Sequence, residues 1–119
     1  MEYLIPLLKQ KPRPENMDYN LSEEFARECF RKNKNSAISF ILSSSYLYYF
    51  YNRSYLSDEV FDKMCKWCYD NWEMLEHPHK HLFTKEDMGN GSVFHLKKDD
   101  YPIIVKISAE HWLFNQGEN

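Results

Sequence analysis

The sequence has few glycines and no glycine-rich motif. Only three glycines occur in 119 residues, and neither GxGxxG nor GxxxxGK[ST] is present. Because the backbone of these two loops holds nucleotide phosphates, their absence excludes the P-loop and dinucleotide-binding classes. Positive charge is not in excess either, since 15 Lys and Arg against 18 Asp and Glu give a net charge of −3. Direct binding to nucleic acid would therefore need a local basic patch.

Long hydrophobic runs and paired cysteines are also missing. The longest uncharged run, 36–52, contains five serines and four tyrosines, whereas a membrane-spanning helix needs about 20 mainly apolar residues. We therefore expect no membrane span. The cysteines Cys29, Cys65 and Cys68 are an odd number, and the first residues do not have the pattern of a secretory signal. Reduced thiols and a cytoplasmic location are the expectation.

What the chain does contain predicts one folded, mainly α domain. Hydrophobic residues make up 43% and aromatic residues 17% of the sequence, which is enough for a core in a chain of single-domain length. We assign 1–19 to an extended N-terminal strap, whose apolar tip docks on the core, and 20–119 to a single helical domain. Apolar spacing predicts about four helices. They are expected at about 21–32, 36–51 and 58–76, with a last helix that has Pro102 near its first turn.

Capping signals and composition refine these elements. Asn20 and Glu23 have the spacing of a capping box, and Ser57 is a natural N-cap for the third helix. The second helix carries apolar residues on all sides, which predicts a central, buried position. Asp99 or Asp100 is expected to cap the last helix. For 79–98 the pattern does not decide the conformation, and a short strand or a loop both fit 92–96.

Aromatic residues concentrate between Tyr46 and Phe61, which contains seven of the 20. Asp58 and Asp62 lie four residues apart on the predicted third helix, so their carboxylates share one face. Flat rings with two acceptors suit a ligand that has a ring and a ribose. The same residues also fit a tyrosine-rich helix packed in a small core, with Asp58 at a helix N-terminus.

This region resembles the N-terminal helical subdomain of bacterial NAD-dependent DNA ligases, which binds the nicotinamide mononucleotide half of NAD. That family has approximately Tyr-Leu-Tyr-His, then after eight residues Asp-x-x-Tyr-Asp, and a helix that ends in Glu-x-His-Pro. The present chain has Tyr46-Leu47-Tyr48-Tyr49, then Asp58-Glu59-Val60-Phe61-Asp62, and Leu75-Glu76-His77-Pro78. The resemblance covers the predicted helical hairpin, 36–78, about a third of the chain.

The resemblance implies a set of cofactor-binding residues and two hypotheses of function. The set is Tyr48, Tyr49, Asp58, Phe61 and Asp62, with Tyr49 in place of the family's His and Phe61 in place of its Tyr. The family's Lys-x-Asp-Gly motif is absent, so we expect no enzyme activity. The first hypothesis is a non-catalytic accessory protein, of a size typical of phage proteins acting in the host cytoplasm, that uses the hairpin as a platform for a partner protein. The alternative is a binder of a nicotinamide nucleotide (NMN or NAD) or a related small ligand, acting in trans in DNA metabolism.

Two further groups have weaker signals. Cys65 and Cys68 with His77 and His79 contain the ligand types of a zinc site, but cysteines in the middle of a helix fit an apolar stripe better, so no metal is predicted. Basic residues of the strap and of the end of the first helix are interleaved with acidic ones, which favours a solvated surface over a nucleic-acid footprint. These basic residues are Lys9, Lys11, Arg13, Lys32 and Lys34.

Overall fold

The computed structural model describes residues 19–91 and 95–117, with side chains described for 22–91 and 95–114. Within these ranges the chain is helical and has no strand, which confirms the predicted mainly α class. None of these helices is long and apolar enough to cross a membrane. The predicted strap lies outside the described residues except for Tyr19.

The helices are α1 (Tyr19–Lys32), α2 (Ala37–Tyr51), α3 (Asp58–Asp70), α4 (Lys85–Asn90) and α5 (Ile103–Gly117), with 3₁₀ turns at Lys34–Ser36, Trp72–Met74, Lys80–Leu82 and Lys98–Asp100.

Helix α2 forms the centre of the core, as its uncharged sequence predicts. Ile38, Ile41 and Tyr46 are fully buried, and they lie on more than one side of the helix. The helix ends at Tyr51, and its C-cap Asn52 has a left-handed φ of 59°. Asparagine tolerates this conformation better than most residues other than glycine.

Helix α3 begins as predicted but ends earlier. Ser57 is its N-cap, and the Ser57 hydroxyl accepts a hydrogen bond from the Val60 N–H at 3.3 Å. The helix stops at Asp70, so the predicted end near Glu76 is wrong. Asn71 leaves the helical conformation and its side-chain amide donates to the Trp67 carbonyl at 2.9 Å. Leu75 matches the apolar spacing of the helix, but its backbone is extended. Its side chain is nevertheless buried in the core.

Two helix starts differ from the sequence expectation. Asn20 lies within α1 (Tyr19–Lys32), so it is not the N-cap and the predicted capping box is wrong. The Glu23 carboxylate accepts a hydrogen bond from the Ser57 N–H instead, which ties α1 to the start of α3. Helix α4, which the sequence analysis missed, begins with a capping box between Thr84 and Asp87.

Helix α5 confirms the predicted last helix but packs with a different face. Its buried residues are Val105, Ala109 and Leu113, four residues apart, whereas the isoleucines that suggest the helix point outward. The two aspartates before it belong to the preceding 3₁₀ turn, where the Asp100 carboxylate accepts from the Lys97 N–H at 2.9 Å. Neither is an N-cap of α5, so that expectation is wrong.

Candidate functional site

Four of the five predicted cofactor-binding residues lie around one small cavity. Tyr48 and Tyr49 reach it from the end of α2, and Asp58 and Phe61 from the first turns of α3. The tight connection 52–57 brings these helix ends together. Asp62 does not join them, because it lines a separate surface groove with Lys66 and Tyr69.

The size of this cavity limits what it can hold. Its volume is about 20 Å³, close to the space that one water molecule needs. Burial, followed by the nearby Asp58 carboxylate, raises the pKa of the Tyr48 hydroxyl. Ser44 in the cavity wall is buried, and its hydroxyl has no hydrogen-bond partner among the described residues. The lining thus offers polar atoms around a space of about the size of one water molecule.

The surroundings of Cys65 and Cys68 do not favour a zinc site. Cys65 and Cys68 are core residues, and burial raises the pKa of the Cys68 thiol to about 12 and that of Cys65 well above its usual value. Zinc binding requires thiolates, which this environment disfavours. The described part of the chain contains no group of three or more His, Cys, Asp or Glu residues placed to hold a metal ion.

His77 fastens the turn after α3 to the central helix. Its Nδ1 accepts a hydrogen bond from the His79 N–H at 3.1 Å, and its Nε2 lies 2.9 Å from the Ser39 hydroxyl. With Nδ1 occupied as an acceptor, the proton of the neutral ring is on Nε2, which donates to Ser39. Burial, and then the neighbouring His79, lowers the pKa of His77. His79 itself lines a larger surface groove between α1, α2 and α5.

The apolar groove runs between α1, α2 and α5 and has a volume of about 580 Å³. This volume is in the range typical of binding sites. Helix α1 contributes Phe25, α2 contributes Phe40, and α5 contributes Ile104 and Trp112. Phe25 is 59% and Ile104 60% exposed, so the groove presents large apolar side chains to solvent.

A row of aromatic rings forms the floor of the apolar groove. The ring centroids of Phe25 and Phe40 are 5.9 Å apart, those of Phe40 and Tyr55 are 6.1 Å apart, and those of Tyr55 and Trp112 are 4.8 Å apart. These separations are typical of interacting rings. The Ser22 hydroxyl donates to the Tyr55 carbonyl at 2.6 Å and holds the connection 52–57 under α1. The floor is therefore built from three helices and the connection 52–57.

The polar side chains in the apolar groove carry hydroxyl and imidazole groups. The described lining contains no Lys, Arg, Asp or Glu side chain, so it offers no ammonium or guanidinium group for a phosphate and no carboxylate for a basic peptide. The imidazoles belong to His79 and His111, and the hydroxyls to Ser22, Ser39, Ser43 and Ser108. Such a surface is suited to an apolar segment whose backbone can hydrogen-bond at the edges.

Sequence reasoning missed the apolar groove. The sequence feature that could have indicated it is the set of isoleucines near the start of α5, Ile103, Ile104 and Ile107. Their helical spacing alone does not show whether they lie in the core or on the surface. Comparison of the chain with known protein families, with characterised proteins and with solved structures finds no match.

Proposed function

We propose that this protein is a non-catalytic interaction module and that the apolar groove binds a partner protein through a short, uncharged, apolar segment. The observation that carries the proposal is the exposed aromatic and aliphatic lining without a charged side chain. Exposed apolar patches of this kind mark interaction sites on small proteins. Aromatic side chains that are held rigidly in a groove are typical anchors of binding energy.

The helical hairpin 36–78 supplies much of the platform. Its first helix provides Ser39, Phe40 and Ser43, and its connection provides Tyr55. The ligase-like resemblance lies in this same hairpin. In the proposal the hairpin serves as a scaffold, and binding takes place on the side that α1 and α5 cover in part.

Two neighbouring isoleucines allow a matched test. Ile104 lines the apolar groove, whereas Ile103 does not, and the two are 60% and 70% exposed on the same helix. The full chain, Ile104→Asp and Ile103→Asp are used as bait under identical conditions. A protein retained by the full chain and by Ile103→Asp but lost with Ile104→Asp is then purified and titrated by calorimetry. We expect Ile104→Asp to weaken its affinity at least about tenfold.

The result that contradicts the proposal is equal binding by the two variants. Because both residues are exposed, each aspartate should leave the melting temperature near that of the unmodified chain, which circular dichroism checks. Equal loss in both variants with intact folding would move the interface to the outer face of α5.

A further inference from the structure

We infer that a second copy of this chain binds the exposed side of α5, and that the two α5 helices pack antiparallel across a two-fold axis. The contact is made by the α5 stripe, which consists of Ile104, Ile107, His111 and Phe114. This inference goes beyond the proposed function, because it adds a second interaction surface beside the apolar groove. Its evidence is the exposure of the stripe, the spacing of its members and the apolar area that they present.

The α5 stripe presents large apolar side chains to solvent. Ile104, Ile107 and Phe114 are 60%, 59% and 58% exposed, and His111 is exposed as well. An amphipathic helix at the surface of a protein normally has a polar outer face. Helix α5 instead has one apolar face in the core and a second one outside it. The residues that it buries in the core are Val105, Ala109 and Leu113.

Charged side chains are absent from the α5 stripe. Within 103–114 the only Lys, Arg, Asp or Glu residues are Lys106 and Glu110, which occupy other positions of the helix. The Glu110 carboxylate accepts hydrogen bonds from the Tyr46 and Tyr51 hydroxyls, so it is directed toward α2. Because burial of an unpaired charge is costly, the stripe suits a partner surface that is equally uncharged and apolar. The stripe of a second copy is such a surface.

The spacing of the α5 stripe is the same when it is counted from either end. Its members are separated by three, four and three residues, which is the spacing of helices that pack side by side along a seam. When two such stripes are laid antiparallel, Ile104 faces Phe114 of the second copy and Ile107 faces His111 of the second copy. A two-fold contact requires a surface that is complementary to itself. The stripe meets this requirement over about 15 Å of helix.

The apolar area agrees with that of a small homodimer interface. With the neighbouring Ile103, which is 70% exposed, the stripe presents roughly 350–450 Å² of apolar surface. Specific interfaces begin at about 600 Å² per partner. Homodimer interfaces are about 65% apolar, so the smallest of them need about 390 Å² of apolar surface per copy. The stripe and Ile103 supply this amount, and an interface of this size predicts a dissociation constant in the micromolar range.

The α5 stripe and the apolar groove share one edge but not all residues. Ile104 and His111 line the groove, whereas Ile107 and Phe114 do not. A substitution of Ile107 therefore tests the dimer without changing the lining of the groove.

Sedimentation equilibrium of the full chain tests the inference. The unmodified chain, Ile107→Asp and the matched control Met74→Asp are compared from about 1 to 500 μM. Met74 is 71% exposed and lies in the turn after α3, so the control places the same charge at an exposed apolar position outside α5. We expect equal dissociation constants for the unmodified chain and Met74→Asp, and a constant at least about tenfold higher for Ile107→Asp.

Two results would overturn the inference. A chain that stays monomeric at about 500 μM would show that no second copy occupies the stripe and would leave this face to a different protein. A dimer of unchanged affinity in Ile107→Asp would place the contact elsewhere on the molecule. Because Ile107 is exposed, its aspartate variant should melt near the temperature of the unmodified chain when both are dilute monomers, which circular dichroism checks.

Disulfide formation tests the antiparallel arrangement. Chains with Cys29→Ser and Ile104→Cys are mixed with chains that carry Cys29→Ser and Phe114→Cys, and the mixture is oxidised with copper phenanthroline. Cys65 and Cys68 are buried, so the new thiols should react first. We expect the mixed dimer as the main product, because two thiols at 114 would lie about 15 Å apart along the helix axis. Efficient linking of the Phe114→Cys chain to itself would indicate parallel packing and overturn the arrangement.

Partner binding separates this inference from the proposed function. The monomeric Ile107→Asp chain should bind the protein captured through the apolar groove as tightly as the unmodified chain does. A dimer lost in Ile107→Asp, together with equal partner binding by Ile103→Asp and Ile104→Asp, would refute the partner function and leave the dimer. A monomeric unmodified chain whose partner binding still depends on Ile104 would refute the dimer alone.

Discussion

Removal of the Glu110 carboxylate should loosen α5 from α2. The Tyr46 hydroxyl donates to Glu110 Oε2 at 2.6 Å, and the Tyr51 hydroxyl donates to the same oxygen at 2.8 Å. Tyr46 is fully buried, so Glu110→Ala leaves a buried hydroxyl without its acceptor, which costs about 1–3 kcal/mol. Tyr51 is only half-buried and can bond to water, so we take a total loss of about 2 kcal/mol.

Chemical and thermal denaturation measure this loss. About 2 kcal/mol lowers the melting temperature of a domain of this size by roughly 8 °C. A cycle with Tyr46→Phe isolates the contact, because the double variant has neither the hydroxyl nor its acceptor. We expect the double variant to be no less stable than Glu110→Ala alone. A double variant that loses the sum of the two single losses would refute the reasoning.

The same contact gives stability a pH dependence of known sign. Hydrogen bonds from Tyr46 and then Tyr51 hold the pKa of Glu110 below its ordinary value of 4.5. The folded pKa is lower than the unfolded one, so the stabilisation is fully present above about pH 4.5 and is lost as the pH falls through the folded pKa. The stability difference between the unmodified chain and Glu110→Ala should therefore be constant near neutrality and shrink in acid.

Two further predictions concern thiols and the predicted cofactor pocket. Burial raises the pKa of Cys65 and of Cys68, so Ellman's reagent should modify only the half-buried Cys29 in the native protein. In guanidinium it should modify all three thiols. Rapid labelling of three thiols under native conditions would contradict the buried positions of Cys65 and Cys68. The cavity of about 20 Å³ beside Tyr48 and Asp58 predicts that millimolar nicotinamide mononucleotide leaves the melting temperature unchanged, and a saturable rise that disappears in Asp58→Asn would show instead that the cavity opens for this ligand.

Elements with strong local signals could be predicted from the sequence. Helix α2 has no charged residue, which leaves the interior as its only favourable position, and Ser57 is a good N-cap before two acidic residues. Local spacing also explains why Tyr48, Tyr49, Asp58 and Phe61 meet, since a short connection joins the two helix ends. For α2, the start of α3 and the four residues that meet between them, patterns within a short stretch of sequence are enough to predict the arrangement.

Other features depend on contacts that no local pattern contains. Helix α4 spans only six residues, which are too few to show a helical period. Leu75 fits the apolar spacing of α3, although its backbone is extended and lies beyond the end of that helix. On α5, the small Ala109 marks the face that packs against α2, while the more hydrophobic isoleucines remain outside. The apolar groove could not be predicted because its walls come from α1, α2 and α5, which tertiary packing alone brings together.

The distance in sequence between α2 and α5 also affects how the protein is made. Tyr46 and the Glu110 that binds it are 64 residues apart, so at about 5–20 residues per second the ribosome needs about 3–13 s to add α5 after the central helix. During this interval a helix with apolar residues on all sides lacks its main neighbour. The nascent chain is therefore exposed to aggregation during this interval, and its core can close only after α5 has been added.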